Sequence, residues 1–104
     1  MPLFSEILND LPAIEKTDSL ELVDTNGTKV VIENRPGKAG SVAVYNALLQ
    51  EFGLLNSAAA QKGLELYAEH TEDARANPGK HPNIDRLFEL IDSNNEYQIR
   101  VVGL

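Results

Sequence analysis

Two basic segments that contain glycine carry the residue types that could bind an anion. The first reads Asn-Arg-Pro-Gly-Lys-Ala-Gly-Ser from residue 34 to residue 41, and the second reads Pro-Gly-Lys-His from residue 78 to residue 81. Each precedes a predicted helix, where free backbone N–H groups and the positive end of the helix dipole favour a phosphate or a carboxylate. The candidate anion-binding residues are Arg35, Lys38, Gly40, Ser41, Lys80 and His81.

In the first segment, Arg35 and Lys38 would contact the charge of the ligand, while Gly40 and Ser41 would donate backbone N–H groups and the Ser41 hydroxyl would add a hydrogen bond. A purely structural role accounts for the same residues: both glycines would supply positive φ, Pro36 would end a strand, and Ser41 would cap a helix. The segment lacks the final Gly-Lys-Ser/Thr of a P-loop and the glycine pattern of dinucleotide-binding loops. No specific nucleotide chemistry is therefore predicted.

The two segments would form one site only if both helix N-termini lay at the same end of the sheet. In that arrangement Arg35, Lys38, Lys80 and His81 would converge, with Arg75 and Arg86 nearby. Basic loops at helix starts are also commonly solvated, so the sequence leaves open whether the segments meet around a concave site or lie apart.

His70 and His81, the only histidines, could be imagined as metal ligands together with Glu69 and Asp73. The spacing argues against this, because Glu65, Glu69 and Asp73 follow one another at intervals of four, which predicts a solvated helix face. Helix capping or a surface hydrogen bond explains each histidine more simply. We predict no metal site and no cofactor.

Catalytic residues cannot be assigned from the sequence. No Ser or Thr stands in a pattern with a histidine and an orienting acid, and cysteine is absent. Tyr45, Tyr67 and Tyr97 are expected to be partly buried packing residues whose hydroxyls reach water. Enzymatic activity stays open, since a small site can assemble from distant residues, but a non-enzymatic protein is the preferred interpretation.

Composition limits the classes of protein and partner. The 104 residues suffice for one domain, residues 1–104, with one hydrophobic core. Nine basic against 16 acidic residues give a net charge of −7, which disfavours broad binding to nucleic acid or to anionic membranes. The N-terminal sequence has neither a basic leader nor a long apolar run, so a cytoplasmic location is expected.

A β-hairpin is the clearest local prediction, because two apolar, β-branched runs flank Asn26-Gly27. A two-residue turn would scatter apolar residues over both faces of the hairpin. A three-residue loop with Gly27 in a left-handed bulge would pair Leu22 with Val30 and would sort the faces better. We predict the bulged loop, with Leu20 opposite Ile32 as the next apolar pair.

Apolar spacing predicts a first short helix over residues 3–11, then helices over residues 41–52, 57–76 and from Pro82 onward. Alternation of Tyr97, Ile99 and Val101 with polar residues predicts a closing strand that has one buried face. The predicted order is αββαααβ. The fold class is α+β, in two layers, with a mainly antiparallel three-stranded sheet formed by the hairpin and the C-terminal strand and with helices on one face.

Three stretches carry a resemblance to a known family: residues 33–41, residues 66–70 and residues 81–85. Together they resemble a family of bacterial proteins of about 100 residues that is a domain of unknown function, single domains of the size expected for one core. The resemblance implies a bacterial, stand-alone protein. It transfers no site residue, because the family carries no assigned activity.

Two functions compete at this point. The first is a non-enzymatic module that binds or regulates another protein through its acidic helix face or its basic loops. The alternative is a protein that binds a small phosphate or carboxylate ligand through the loop from Arg35 to Ser41, with at most weak transferase or hydrolase activity. A homo-oligomer formed through an exposed sheet edge, such as the strand over residues 97–102, is a further expectation.

Overall fold

A computed structural model describes residues 2–104. A first helix, a hairpin, a run of helices and a closing strand follow one another in the predicted order, so the α+β fold class is confirmed. The elements are α1 (Phe4–Leu8), β1 (Thr17–Asp24), β2 (Lys29–Glu33), α2 (Ala39–Phe52), α3 (Ser57–Leu66), α4 (Glu69–Ala76), α5 (Pro82–Ser93) and β3 (Tyr97–Gly103).

The β1–β2 hairpin has the register predicted for a bulged loop. Leu20 lies opposite Ile32 and Leu22 opposite Val30. Gly27 has a φ of +86°, which an L side chain rarely adopts. The Asp24 carboxylate accepts hydrogen bonds from the backbone N–H groups of two loop residues at 2.9 Å each, and these bonds hold the loop closed.

The sheet is antiparallel in the order β2-β1-β3, so β2 and β3 are its two edges. Leu20, Leu22 and Ile32 are buried against the helices. On β3 the predicted buried face is only partly correct: Ile99 is buried, but Val101 is 42% exposed. Val101 lies opposite the fully buried Leu20, but it belongs to an edge strand and is therefore covered on fewer sides.

The helical layer packs most closely where α3 meets α5. A methyl group at Gly63 would lie 2.8 Å from Leu87 Cδ1 and 3.0 Å from Leu48 Cδ1, so only glycine fits without a shift. Gly63 therefore permits close packing in the core, at the cost of helix propensity. On α5, Pro82 occupies the first turn as predicted, and Leu87 belongs to the buried stripe, which also includes Leu90.

The helix predicted from residue 57 to residue 76 is two helices, because the chain turns at Tyr67 and Ala68. Ala68 has φ 52° and ψ −120°, and the His70 N–H donates to the Tyr67 carbonyl at 3.0 Å. These values describe a type II′ turn, in which glycine is the usual residue. The Thr71 hydroxyl donates to the Leu64 carbonyl and supplies a partner that the interrupted helix lacks. Apolar spacing alone did not reveal this break.

The first helix is shorter than predicted. It spans five residues instead of nine, Leu3 is 54% exposed, and none of the residues in α1 is buried. A five-residue helix is unstable alone, so its position depends on contacts with the rest of the fold. Within residues 2–104, no helix is long and apolar enough to cross a membrane.

Candidate functional site

A cavity of about 590 Å³ lies where the starts of α2 and α5 approach α1 and β2. Both Pro-Gly-Lys loops reach it. Five of the six candidate anion-binding residues line its wall: Lys38, Gly40, Ser41, Lys80 and His81. The question that the sequence left open is thus answered by the fold, in which the two loops meet around a concave surface.

Arg35 is the candidate that does not line the cavity. Its Nε lies 2.5 Å from Glu33 Oε2, and its side chain is 71% exposed. The guanidinium is held on the outside of the loop by its neighbour on β2. Arg35 therefore contributes to the charge of the loop but does not contact the cavity.

The start of α2 differs from the sequence prediction. The helix begins at Ala39, so Ser41 lies in its first turn and does not cap it. Gly37 has the predicted positive φ, whereas Gly40 is helical. Within residues 2–104, no protein acceptor takes the backbone N–H of Gly40 or Ser41, and no carboxylate lies within ion-pair distance of Lys38. The first turn therefore presents two free donors beside an unpaired cation.

The Ser41 hydroxyl is hydrogen-bonded to the side chain of Tyr67. The Tyr67 hydroxyl donates to Ser41 Oγ at 2.7 Å, and burial raises the pKa of this tyrosine well above its usual range. Tyr67 therefore remains protonated and acts as the donor. Because a hydroxyl carries one hydrogen and two lone pairs, Ser41 keeps its own hydrogen for a group in the cavity.

The loop before α5 is internally paired. Asp73 Oδ2 lies 2.6 Å from His81 Nε2 and 3.1 Å from Lys80 Nζ. The hydrogen bond from His81, followed by that from Lys80, lowers the pKa of Asp73 from 3.8 to about 2. Asp73 is partly exposed, as a solvated face predicts, but the break between α3 and α4 separates it from Glu65, and its carboxylate also holds this loop.

A second buried tyrosine supports the start of α5. The Tyr45 hydroxyl donates to the Asn83 carbonyl at 2.5 Å and accepts from Arg86 at 3.1 Å, and Arg86 also reaches the Asn83 side chain at 2.9 Å. Burial raises the pKa of Tyr45 to about 12, although Arg86 opposes that shift. The expectation that the hydroxyls of Tyr45 and Tyr67 reach water is wrong, because both residues are buried and each hydroxyl has a protein partner.

Aromatic rings form one wall of the cavity. The Phe4 ring stacks on Tyr67 with centroids 5.5 Å apart and meets His70 edge-on at 5.0 Å, while His70 lies 5.8 Å from His81. Glu69 accepts the Phe4 backbone N–H at 2.8 Å, a hydrogen bond that lowers the pKa of this carboxyl. Glu69, like Asp73, is engaged in a tertiary contact and is not merely solvated.

Among residues 2–104, no cluster of three or more His, Asp or Glu side chains could hold a metal ion. The polar groups of the cavity are hydrogen-bond donors and the Lys38 cation at the α2 side, and Lys80 and His81 at the α5 side, both of which pair with Asp73 outside the cavity wall. Such a wall suits an anionic ligand better than a cation.

Sequence reasoning missed Phe4, Tyr67 and Asp73 as residues that shape the site. A signal for Tyr67 was present, because the three stretches that carry the family resemblance all contribute to the cavity wall: residues 33–41, 66–70 and 81–85. No comparable signal marks Phe4 or Asp73, whose roles depend on contacts distant in sequence.

Comparisons with known proteins identify a family. A family model described as "Uncharacterized protein conserved in bacteria (DUF2322)" matches residues 4–101, nearly the whole chain. Searches of curated proteins and of solved structures gave no match. The matched segment includes every residue of the cavity named above, and the chain belongs to this bacterial family, DUF2322.

Proposed function

We propose that this protein binds a small anionic molecule, a carboxylate or a phosphate, in the cavity between the starts of α2 and α5. The observation that carries the proposal is the meeting of two Pro-Gly-Lys loops at one concave site, with Lys38 unpaired. An acidic chain with a net charge of −7 that exposes an unpaired cation in a cavity has a local preference for negative charge.

The anion would sit on the α2 side of the cavity. Gly40 and Ser41 offer free backbone N–H groups there, the Ser41 hydroxyl keeps its hydrogen, and Lys38 adds a full charge. On the α5 side, Lys80 already has the Asp73 carboxylate as a partner at 3.1 Å. An incoming anion would gain more from donors without partners than from donors that must first leave a carboxylate.

The remainder of the ligand would be apolar. Leu8, Ile32 and Ile84 line the cavity together with the aromatic wall. The volume of about 590 Å³ falls within the range of roughly 300–1,000 Å³ that is usual for small-molecule sites. A ligand with one charged end and an apolar body matches this division of the surface.

We favour binding of the anion without a catalysed reaction. A serine nucleophile needs a base that accepts its proton. The partner of Ser41 is instead Tyr67, a hydroxyl donor that burial keeps protonated. The serine is therefore arranged to orient a hydrogen bond, as in a receptor site.

Calorimetric titration and thermal shift with a panel of carboxylates and phosphates would test the proposal. Because the family is conserved in bacteria, bacterial metabolites belong in the panel. We expect at least one anion to raise the melting temperature of the wild type, and Lys38→Ala to weaken its binding by about thirtyfold, as for the loss of a charge-assisted hydrogen bond.

Lys16→Ala is the matched control, because it removes the same charge from a residue that does not line the cavity. Arg35→Ala is a second control for the same reason. Both variants should bind within twofold of the wild type. Equal losses in Lys38→Ala and Lys16→Ala would mean that binding follows net charge alone, and no stabilisation by any anion would refute the proposed function.

Protein binding remains a second proposal, supported by the open edges of the sheet. Val31 on β2 is 49% exposed and Val101 on β3 is 42% exposed, and each lies on an edge strand. An exposed edge that carries apolar side chains can pair with a second copy of this chain. Light scattering over a hundredfold range of concentration should then detect a dimer, and a constant monomer mass would contradict self-association.

A further inference from the structure

We propose that the ligand carries a flat ring, and that this ring replaces Phe4 against Tyr67 when the ligand binds. The inference rests on the proposed function, an anion at the start of α2. It adds the chemical class of the ligand: an aryl carboxylate or an aryl phosphate.

The Phe4 ring occupies a slot that other residues form. Tyr67 lies along one face of the ring, with centroids 5.5 Å apart and planes inclined by 22°. His70 meets it edge-on. Gly40 closes the third side, where an added Cβ would be 3.0 Å from Phe4 Cε2 and 3.2 Å from Cζ. The slot therefore has the dimensions of a flat ring, because a side chain at Gly40 would narrow it.

The ring slot adjoins the anion donors. Gly40 borders the slot with its Cα, and its backbone N–H is one of the two free donors at the start of α2. A ring in the slot would thus bring a directly attached carboxylate or phosphate close to Gly40 and Ser41. This shared residue is the reason for proposing one ligand that satisfies both subsites.

Phe4 is held weakly enough to be replaced. It belongs to α1, which has five residues, none of them buried. Besides the ring, the tertiary hydrogen bond of this helix runs from the Phe4 N–H to Glu69. Replacement by a ligand ring would restore the stacking on Tyr67 while freeing a short helix that is unstable alone.

Titrations with benzoate and cyclohexanecarboxylate, which carry equal charge, would test the ring, and phenyl phosphate would distinguish phosphate from carboxylate. Phe4→Ala removes the competitor for the slot, so we expect it to bind the preferred aryl anion about fivefold more tightly than the wild type does. Binding of cyclohexanecarboxylate should change by less than twofold. In the wild type, the aryl anion should also speed hydrogen exchange of the amides in α1.

Ile7→Ala is the control, since Ile7 belongs to the same helix but does not line the cavity. It should leave the preference for the aryl anion unchanged. Weaker binding of the aryl anion by Phe4→Ala would overturn the replacement of Phe4. Equal affinity of benzoate and cyclohexanecarboxylate in both proteins would contradict the proposal that the ligand carries a flat ring. It would not contradict the anion site. If inorganic phosphate and every carboxylate fail to bind, both proposals fall.

Discussion

The loops before α2 and before α5 share the sequence Pro-Gly-Lys but differ in electrostatic state. Lys38 in the first loop has no carboxylate partner within residues 2–104, and the following turn leaves two N–H groups free. Lys80 in the second loop shares Asp73 with His81. The first loop can therefore bind an anion directly, whereas the second loop already binds the Asp73 carboxylate.

The difference arises from what lies behind each loop. α4 brings Asp73 to the second loop, and the Gly79 N–H also finds Asp85 at 2.9 Å. Behind the first loop lies Tyr67, a neutral donor. The same three-residue motif is thus internally satisfied in one place and available for a ligand in the other. The Pro-Gly-Lys sequence predicts that a loop can bind an anion. The residues packed behind the loop decide whether a carboxylate of the protein already occupies that position.

The two lysines provide the largest expected contrast. For the anion that stabilises the wild type most, Lys38→Ala should lose about thirtyfold in affinity, and Lys80→Ala only about twofold, because an exposed pair already shared with a carboxylate contributes little. Calorimetric titration of both variants measures the ratio. Equal losses would mean that the ligand displaces Asp73 and that the two loops act alike.

The supporting tyrosines should differ in their effect on stability. Tyr45→Phe removes a hydroxyl that serves both Asn83 and Arg86, so we expect a loss of about 1.5 kcal/mol in the free energy of unfolding. Tyr67→Phe removes one hydrogen bond to a partly buried serine and should cost about 0.5 kcal/mol. Urea denaturation would measure both values, and a larger loss in Tyr67→Phe would reverse this assignment.

Two substitutions at positions with positive φ should change the stability of the fold in opposite directions. Gly37 in the first loop has φ 87°, so Gly37→Ala should destabilise the fold by about 1 kcal/mol, although its methyl group meets no atom. Ala68 has φ 52° without being glycine, and Ala68→Gly should stabilise the fold by about 0.5 kcal/mol after the entropic cost of glycine. Thermal unfolding of the two variants would detect opposite shifts. A destabilised Ala68→Gly would mean that the turn at Tyr67 is not strained.

Low pH should make the two loops more alike electrostatically, because it protonates Asp73 beside the second loop. The expected change in the free energy of unfolding is the smallest of these predictions. The pKa of Asp73 is lowered to about 2, so its stabilising contribution is present above its unfolded value of 3.8 and is lost as the pH falls through 2. Unfolding free energies of the wild type and Asp73→Asn should therefore differ at pH 5 and converge towards pH 2. The difference should shrink with salt, because Asp73 is partly exposed. A difference that does not depend on pH would contradict the ion pairs.

Much of the fold could be predicted because its signals are local. Asp24, Gly27 and the apolar pairs around them determine a hairpin register within 15 residues of chain. Pro82 marks the start of α5 for an equally local reason. The break at Ala68 was missed because an alanine there matches helix propensity, whereas the hydrogen bonds that Tyr67 and Thr71 make at the turn are not visible in the sequence.

The sequence by itself determined the residue types of the candidate site: cations, glycines and a serine ahead of two helix starts. The tertiary structure alone decided that both starts face one cavity, that Arg35 lies outside it, and that Asp73 pairs with the second loop. The physical reason is the distance along the chain over which each interaction acts. Turn and helix signals act over a few residues, whereas the pairing of a charge depends on which distant carboxylate the packing of helices brings within about 4 Å.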